Sequence, residues 1–200
     1  GSLVHRTPHL DALAAGGMVF TNAYANAPNC APTRAALMSG LYAPRTGIYT
    51  VNGASRGKAK NRKLIPIPNR TDLDESFVTL AETLSGAGYA TGHVGKWHLG
   101  ADPCSQGFDV NVAGSKAGAP RYYHSPYSNP NLQDGPEGEY LTDRLTDVAE
   151  EFIEESKDQP FFLYMSHFAV HDPIQGRKDL VEKYRAKLAR LSPLEGPAFI

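Results

Sequence analysis

Cysteine is scarce in this sequence, and a long hydrophobic run is missing altogether. Two cysteines in 200 residues do not make a disulfide framework, although the two could pair with each other. No apolar stretch reaches the roughly 18 residues of a membrane-spanning helix, so no membrane span is predicted. The opening residues, GSLVHRTPHL, lack the charged-then-apolar pattern of a signal peptide, and none is predicted in them.

A large excess of charge of either sign is also lacking. The formal net charge is -1 at pH 7, so no overall electrostatic field favours binding to nucleic acid or to an anionic membrane. The hydrophobic content of 41% and the charged content of 20% are near the average for globular proteins. We therefore expect one sizeable hydrophobic core and no nucleic-acid partner.

Segments with helical and strand-like patterns alternate along the chain. Caps, prolines and apolar periodicity predict helices over residues 8–16, 32–40, 77–85, 140–157 and 179–191. Apolar and β-branched runs predict strands over residues 18–25, 89–94 and 160–168. Residues 51–76 and 101–139 are rich in Gly, Pro and polar side chains and are predicted to be loops. This alternation predicts an α/β fold in which a mostly parallel sheet is flanked by helices.

Two of these elements carry the clearest patterns. In the helix over residues 140–157, one apolar stripe is formed by Leu141, Leu145, Val148 and Phe152. The segment PFFLYMSHF that follows it is typical of a strand buried on both faces. Polar side chains at the carboxyl ends of such strands are where α/β proteins place their sites. Three groups meet this condition: Cys30 with Arg34, Lys96 with His98, and His167 with His171.

Cys30 and Arg34 point to an anion site at the start of a helix. A lone cysteine is usually a small buried hydrophobe, and that alternative stays open. A side chain at a helix start, however, faces unpaired backbone N–H groups and the positive end of the helix dipole. Arg34 lies about one turn onward and offers a planar fork of donors, although this alignment is looser if the helix begins only at Pro32.

The motif GKWHLG, residues 95–100, supplies a cation and an acid–base group. Lys96 and His98 are two residues apart, so in extended backbone they share one side and Trp97 takes the other. A phosphate-binding Walker loop is excluded, because Ala90 and Trp97 stand where that motif needs a glycine and a hydroxyl residue. A surface turn with Trp97 as a core residue remains the alternative.

His167 and His171 have the spacing of a helical zinc pair. The glutamate of the metalloprotease motif is absent, since Phe168 holds its place. The segment also has the pattern of a strand that runs into a loop. We therefore expect His171 to be the functional histidine and His167 to be a packed, hydrogen-bonded partner.

A run of cations over residues 56–63 alternates with small residues. Such runs are usually solvated loops. The alternative is a contact for a polyanionic substrate.

Taken together, these motifs resemble the sulfatase family. CAPTRAALMSG, residues 30–40, resembles the first sulfatase signature, and GYATGHVGKWHLG, residues 88–100, resembles the second. The segments TPHLDALAAGGMVFTNAYA, GEYLTDRLTD and PFFLYMSHFAVHDPIQ are also similar to those enzymes, so the resemblance covers essentially the whole chain. It implies a fold related to that of alkaline phosphatase and the hydrolysis of sulfate esters.

In this family the motif cysteine is oxidised to formylglycine by a maturation enzyme, so the resemblance implies this modification at Cys30. The hydrated aldehyde supplies a hydroxyl that attacks sulfur, and the second hydroxyl then expels sulfate. By matching position, Arg34 would stabilise the diol and its charge, and Lys96 would bridge the nucleophile and a sulfate oxygen. His98 would handle the proton of the diol, and His171 would bind sulfate or assist the leaving oxygen.

The resemblance also implies a divalent cation, usually calcium, held by oxygen ligands. The family's carboxylate ligands lie outside the matched segments, so Cys30 in its modified form is the single metal ligand expected in this chain. Residues 1–200 are thus expected to be part of one catalytic domain without its first strand and its C-terminal portion, and to be inactive alone. The resemblance also implies a periplasmic or secreted location.

A sulfated carbohydrate is the expected substrate, because the loop after the second signature is polar and rich in glycine. In that loop, Ser115 and Lys116 are expected to contact the part of the substrate outside the sulfate, although an ordered surface loop is the alternative. Two other functions remain open. One is a phosphate or phosphonate monoester hydrolase of the same superfamily, and the other is a module that binds sulfated glycans without turnover.

Overall fold

A parallel β-sheet lies at the centre of residues 25–175 in this computed structural model, which describes residues 4–191. The strands are β1 Ala90–Gly95, β2 Val110–Val112 and β3 Phe161–Ser166, in the order β2-β1-β3. The α-helices are α1 Pro8–Gly16, α2 Cys30–Ser39, α3 Ala43–Thr46, α4 Leu80–Gly86, α5 Leu141–Ser156 and α6 Lys178–Leu188. Short 3-10 helices cover Ala59–Asn61 and Pro103–Gln106. The predicted α/β fold with a parallel sheet is confirmed.

The central strand β1 pairs in parallel with both neighbours. Gly92 is opposite Val110 on β2 and opposite Leu163 on β3. Parallel neighbours place their carboxyl ends at one edge of the sheet. The residues that follow β1 and β3 are therefore neighbours in space, which brings the second sulfatase-like motif close to the PFFLYMS segment.

Two predictions of strands and loops are wrong. Residues 110–112, predicted as part of a long loop, form β2; three residues with Asn111 in the middle carry no readable periodicity, and pairing with β1 decides their structure. Residues 18–25 form no strand, although their composition predicts one. Met18 and Phe20 are exposed there, and no described strand lies alongside them to provide the hydrogen bonds that a strand requires.

Helix α4 begins at Leu80, three residues later than predicted, because Thr79 caps it. The Thr79 hydroxyl accepts a hydrogen bond of 3.1 Å from the backbone N–H of Glu82. The Glu82 carboxylate in turn accepts one of 2.7 Å from the Thr79 N–H. This capping box satisfies two backbone donors that a helix start leaves unpaired, and it fixes the boundary.

Helix α5 covers one face of the sheet with its predicted apolar stripe. Leu141, Leu145 and Phe152 are buried, and Val148 is half-buried. The Phe152 ring lies over Gly92 of β1, where a Cβ atom would come within 2.7 Å of it. The glycine in the middle of β1 thus allows the helix to approach the sheet closely.

Strand β3 is less buried than predicted. Its first five residues are half-buried, and only Ser166 is buried. Within the described part of the chain, β3 pairs with β1 on one side and with no strand on the other. Both faces of β3 are nevertheless covered, as predicted, because Phe162 and Tyr164 pack against one hydrophobic cluster and Leu163 and Met165 against another.

Residues 4–24 and 176–191 form a separate unit that contains α1 and α6. Thr7 precedes α1 and Pro8 begins it, as predicted, although the Thr7 side chain makes no capping hydrogen bond. Within this unit, Lys187 donates a hydrogen bond to the backbone carbonyl of Val4, and the rings of His5 and Tyr184 are 6.1 Å apart. None of the helices described for this chain is both long and apolar enough to cross a membrane.

Candidate functional site

Cys30 is the first residue of α2 and is half-buried. The prediction that this helix begins at Pro32 is wrong by two residues. Proline is tolerated throughout the first helical turn, because the backbone N–H groups there have no partner within the helix. The earlier start places Cys30 and Arg34 on one helix, four residues apart and on the same face. Gly40 ends the helix in the left-handed conformation, with a φ of 68°.

Arg34 ties α2 to both strands that end at the site. Its guanidinium group donates a hydrogen bond to the backbone carbonyl of Lys96, just after β1. The same nitrogen lies 3.3 Å from the hydroxyl of Tyr164 on β3. Burial lowers the pKa of Arg34, an effect that the neighbouring Tyr164 and Cys30 partly offset. The side chain therefore spans the space between α2, β1 and β3.

Gly95 allows the chain to turn into the site at the end of β1. Its φ is +106°, and a Cβ atom there would lie 2.1 Å from the carbonyl oxygen of Ser166. The next residue, Lys96, donates its backbone N–H to that same oxygen at 2.7 Å. Only glycine fits such a contact, so the motif GKWH begins at a close approach between the ends of β1 and β3.

Lys96 is buried beside Cys30. The residue retains 4% of its accessible surface. Burial lowers the pKa of the Lys96 ammonium group, the nearby Cys30 opposes this shift, and the charge of Arg34 adds to it. Two cationic side chains thus converge on Cys30, which is an arrangement that suits an anionic ligand.

Trp97 and His93 are buried residues next to this site. Trp97 retains 1% of its accessible surface and His93 none. The His93 ring packs edge-on against Trp97 and Phe108, with centroids 5.4 Å and 5.5 Å away. Burial lowers the pKa of His93 to about 4, so this histidine is a neutral core residue near pH 7. Trp97 is the core residue that the sequence suggested as an alternative.

His98 is held in an unusual backbone conformation with a φ of 64°. Its backbone N–H donates to the carbonyl of Ser115 at 2.9 Å. Gly118 lies over the imidazole ring, where a Cβ atom would come within 2.4 Å of it. A positive φ in a non-glycine residue is costly and tends to occur at functional sites. Here it turns His98 away from the strand direction and under the loop of residues 115–118.

The His98 imidazole is neutral and has a free nitrogen. Burial, together with the charges of Lys96, Arg34 and His171, lowers its pKa to about 4. No hydrogen-bond partner for the buried Nδ1 atom is present among residues 4–191. A neutral imidazole of this kind can accept or pass on a proton once an anionic substrate raises its pKa.

Four of the predicted site residues line two separate openings, Cys30 and Arg34 the one and His98 and Lys116 the other, while Lys96, Ser115 and His171 are not among the lining residues. The Cys30 cleft has a volume of about 380 Å³ and is lined by Asn29, Cys30, Thr33, Arg34, Leu37 and Tyr164, among others. The His98 pocket has a volume of about 250 Å³ and is lined by Ala31, Thr50, Asn52, Asp72, His98 and Lys116, among others. The two openings are neighbours at the start of α2, because Cys30 lines one and the adjacent Ala31 lines the other.

The two loop residues predicted to contact substrate have different positions. Lys116 is exposed and lines the His98 pocket with its side chain. Ser115 instead supports the loop, because its carbonyl accepts from His98 and its hydroxyl accepts from the Ala117 N–H at 3.2 Å. Lys116 is thus the better placed of the two to reach a ligand.

His171 lies on the exposed loop after β3. Its backbone N–H donates to the Phe168 carbonyl, and its own carbonyl accepts from the buried Tyr123 hydroxyl at 3.0 Å. It is close enough to His98 for its charge to lower the pKa of that residue. The expectation that His167 is packed is wrong, because the side chain is exposed just past the strand end.

Sequence reasoning missed Tyr164 and Asn69. Tyr164 lines the Cys30 cleft and contacts Arg34; a polar tip within the apolar run FFLYMS was the available signal. Asn69 accepts hydrogen bonds from the N–H groups of Tyr49 and Thr50, at 2.7 Å and 3.0 Å, and so shapes one wall of the His98 pocket. Nothing in its surroundings, PIPNRTD, indicated this.

The described residues do not form a cation site by themselves. No group of three or more His, Cys, Asp or Glu side chains able to hold a metal ion occurs within residues 4–191. The charged groups that interact with Cys30 are the cations Arg34 and Lys96, where a bound cation would need carboxylates. No chemical step is therefore derived through a metal ion below.

Comparisons with a family model and with known proteins both find sulfatases. A family model described as Sulfatase matches residues 1–191. The chain is 35% identical to N-acetylgalactosamine-6-sulfatase of Sus scrofa, over 87% of this chain and 37% of that protein. It is 29% identical to N-acetylgalactosamine-6-O-sulfatase of Bacteroides thetaiotaomicron, over 84% of this chain and 44% of that protein. The chain thus spans less than half the length of these relatives.

Solved structures are similar as well. Ps i-CgsB in complex with k-i-k-neocarrahexaose superposes with a TM-score of 0.72 at 28% identity, over 90% of this chain and 43% of that one. A protein solved with its substrate D-glucosamine-2-N,6-O-disulfate gives a TM-score of 0.70 at 26% identity, over 98% of this chain and 35% of that one.

Proposed function

This chain belongs to the sulfatase family, and on that premise we propose that the complete protein hydrolyses sulfate esters of carbohydrates. The observation that carries the proposal is the convergence of Arg34 and Lys96 on Cys30 at the start of α2. Paired cations around one potential nucleophile suit a transition state whose negative charge spreads over sulfuryl and leaving oxygens.

Cys30 is the proposed nucleophile after its conversion to formylglycine by a maturation enzyme. When hydrated, that group supplies a hydroxyl able to attack sulfur. The half-buried position of Cys30, on a cleft of about 380 Å³, supports access for such a modification and for a sulfate group. A divalent cation, calcium by resemblance, belongs to the proposal, with Cys30 as the ligand that the described residues contribute.

Arg34 and Lys96 would bind and orient the sulfate. The Arg34 guanidinium group is fixed by the Lys96 carbonyl and the Tyr164 hydroxyl, so its remaining donors are held in place rather than free to rotate. Lys96 supplies a point charge from a buried position, where electrostatic attraction to a sulfate oxygen is screened less than in water.

His98 and His171 would manage protons. The free Nδ1 atom of His98 can hold the proton that the nucleophile releases. His171 is exposed near it, on the side open to solvent, and is proposed to bind sulfate or to protonate the leaving oxygen.

The leaving group would occupy the His98 pocket. Asp72 and Lys116 offer this pocket an acceptor and a cation, which suits the hydroxyl groups and further charges of a sulfated sugar. Relatives that are named N-acetylgalactosamine-6-sulfatase support an amino sugar with a 6-sulfate as the substrate class. A secreted or periplasmic location is part of the same proposal.

The test compares aryl sulfate, aryl phosphate and phosphonate monoester as substrates of the complete protein, expressed with its maturation enzyme. We expect the sulfate ester to be turned over fastest, and N-acetylgalactosamine 6-sulfate to be hydrolysed as well. If either phosphorus ester is turned over faster than the aryl sulfate, the protein is a phosphohydrolase and the proposal is wrong. Binding of sulfated glycan with no turnover of any ester would replace it by a glycan-binding module.

A further inference from the structure

A dense run of cations lies on the loop between α3 and α4. Arg56, Lys58, Lys60, Arg62 and Lys63, which we call the basic loop, have no carboxylate near them in sequence, since residues 51–70 contain neither Asp nor Glu. All are exposed except Arg62, which is half-buried. The loop therefore concentrates positive charge in a chain whose net charge is only -1.

Among residues 4–191, no acidic side chain forms an ion pair with the basic loop. The ion pairs formed within residues 4–191 join Arg70 to Asp74, Lys157 to Glu154 and Arg177 to Asp179, and none involves the basic loop. Hydrogen bonds from Arg56 and Arg62 go to neutral oxygens. Like charges in sequence repel one another unless an anion lies between them, so this loop is suited to a polyanion.

The loop is fastened to the wall of the His98 pocket. Arg56 donates to the Thr50 hydroxyl at 3.1 Å and to the Val51 carbonyl at 2.8 Å. Asn69, just beyond the loop, donates to the carbonyls of Thr50 and Asn52 at 3.0 Å and 2.6 Å. Thr50 and Asn52 themselves line the pocket. Both ends of the loop are thus joined at the rim of the pocket.

The pocket is too small for more than a short ligand. Its volume of about 250 Å³ lies below the roughly 300–1,000 Å³ of sites that enclose a drug-sized molecule. If one sugar of an oligosaccharide occupies it, the neighbouring sugars must lie outside the rim. The rim is where the basic loop begins.

We propose that the basic loop binds the sulfate groups of neighbouring sugars in a sulfated oligosaccharide, one sugar of which occupies the His98 pocket. The proposal rests on the sulfatase function proposed above and extends it, because it makes a multiply sulfated chain the preferred substrate over a single sulfated sugar. Exposed lysine and arginine contacts are individually weak, but several act together along a polyanion.

An anionic membrane is the other polyanion to consider, because the exposed Leu64 and Ile65 follow the basic loop directly. The attachment of the loop to the pocket wall favours the oligosaccharide. A membrane surface bound at Leu64 would need no connection to Thr50 and Asn52, whereas an oligosaccharide that leaves the pocket passes them.

The test uses the complete protein with Cys30→Ala, so that binding is measured without turnover. In this background, Lys58→Gln, Lys60→Gln and Lys63→Gln are combined, and calorimetry compares a hexasaccharide with a sulfate on every second sugar against N-acetylgalactosamine 6-sulfate. The ratio of the two affinities is expected to fall about 10-fold at 0.15 M salt, and by less at high salt, where exposed charges are screened.

Two matched variants complete the test. Arginine at the same three positions keeps the charge and should keep the affinity ratio, while Lys157→Gln removes a cation at the opposite end of the strands and should leave it unchanged.

An unaltered ratio in the glutamine variant, an equal loss in the arginine variant, or absence of hexasaccharide binding would overturn the proposal. So would a glutamine variant that loses binding to phosphatidylserine vesicles but not to the hexasaccharide. The complete protein with Cys30 unchanged is assayed for ester hydrolysis in parallel. If it turns over no ester while the hexasaccharide binds as expected, the proposed sulfatase function is wrong and the binding proposal stands.

Discussion

The guanidinium group of Arg34 donates a hydrogen bond to the backbone carbonyl of Lys96, the first residue after β1. The two sulfatase-like motifs are therefore joined by one side chain, across a sequence separation of 62 residues. The Tyr164 hydroxyl holds the same guanidinium group from β3. The site thus lies where α2 meets the ends of β1 and β3, and Arg34 contacts residues from both strands.

We expect Arg34→Lys to reduce kcat/KM on an aryl sulfate by on the order of 100-fold, as does loss of one donor to a developing charge. A lysine has no planar fork with which to reach Lys96, Tyr164 and a sulfate at once. Tyr164→Phe removes one hydrogen bond only and should cost no more than about 10-fold. Mass spectrometry of the Cys30 peptide separates failed maturation from failed catalysis. Parental kcat/KM in Arg34→Lys would contradict the role given to this residue.

Gly95→Ala should destabilise the protein by about 3 kcal/mol or more, because the added Cβ meets the Ser166 carbonyl and the φ is positive. The matched control is Gly86→Ala, at the end of α4. No atom lies within 4 Å of a Cβ there and the φ is not positive, so this variant should be as stable as the parent or up to about 1 kcal/mol more stable. Urea unfolding measures both. Equal stabilities of the two variants would show that β1 and β3 do not approach as described.

Elements whose structure depends on neighbouring residues are predicted well from this sequence. Elements whose structure depends on pairing with a distant segment are predicted poorly. The apolar stripe of α5 is readable in the sequence from Leu141 to Phe152. The start of α4 is predicted three residues too early, although Thr79 and Glu82 form a local capping box. By contrast, β2 exists because β1 lies beside Val110–Val112, and residues 18–25 are not a strand because nothing described pairs with them. Likewise, the contact between Arg34 and Tyr164 spans 130 residues and follows from topology alone.

Acid should destabilise the protein through His93. Burial lowers the pKa of His93 to about 4, against 6.5 for an ordinary histidine. Between these values the unfolded chain holds a proton that the folded protein excludes, so the free energy of unfolding falls as pH falls, by up to about 3 kcal/mol. His93→Phe keeps an aromatic ring against Trp97 and Phe108 and removes the titrating group.

The measurement is urea unfolding of both proteins at pH 7 and at pH 4.5. His98 titrates in the same direction in both, so the difference between their pH dependences isolates His93. We expect the parent to lose more stability than His93→Phe over this interval. An identical loss in the two proteins would mean that His93 can be protonated in the folded state.

Lys116→Ala should raise KM for a sulfated sugar by about 10-fold, the effect of one lost contact of about 1.4 kcal/mol. The reason is that Lys116 lines the His98 pocket, which is proposed to hold the sugar and not the sulfate. KM for a small aryl sulfate, which cannot reach this side chain, should change little. Ser115→Ala is the matched control, because the Ser115 hydroxyl contacts its own loop. Equal effects of Lys116→Ala on KM for both substrates would show that Lys116 does not contact the leaving group.

The central claim is that sulfate-ester hydrolysis depends on a modified Cys30, and one comparison tests it most directly. The complete protein and its Cys30→Ala variant are expressed with the maturation enzyme, and turnover of an aryl sulfate is measured alongside peptide mass spectrometry at position 30. The account predicts an aldehyde or its hydrate in the parent, and no turnover in a Cys30→Ala protein whose circular dichroism spectrum is unchanged. Near-parental turnover in Cys30→Ala would contradict it.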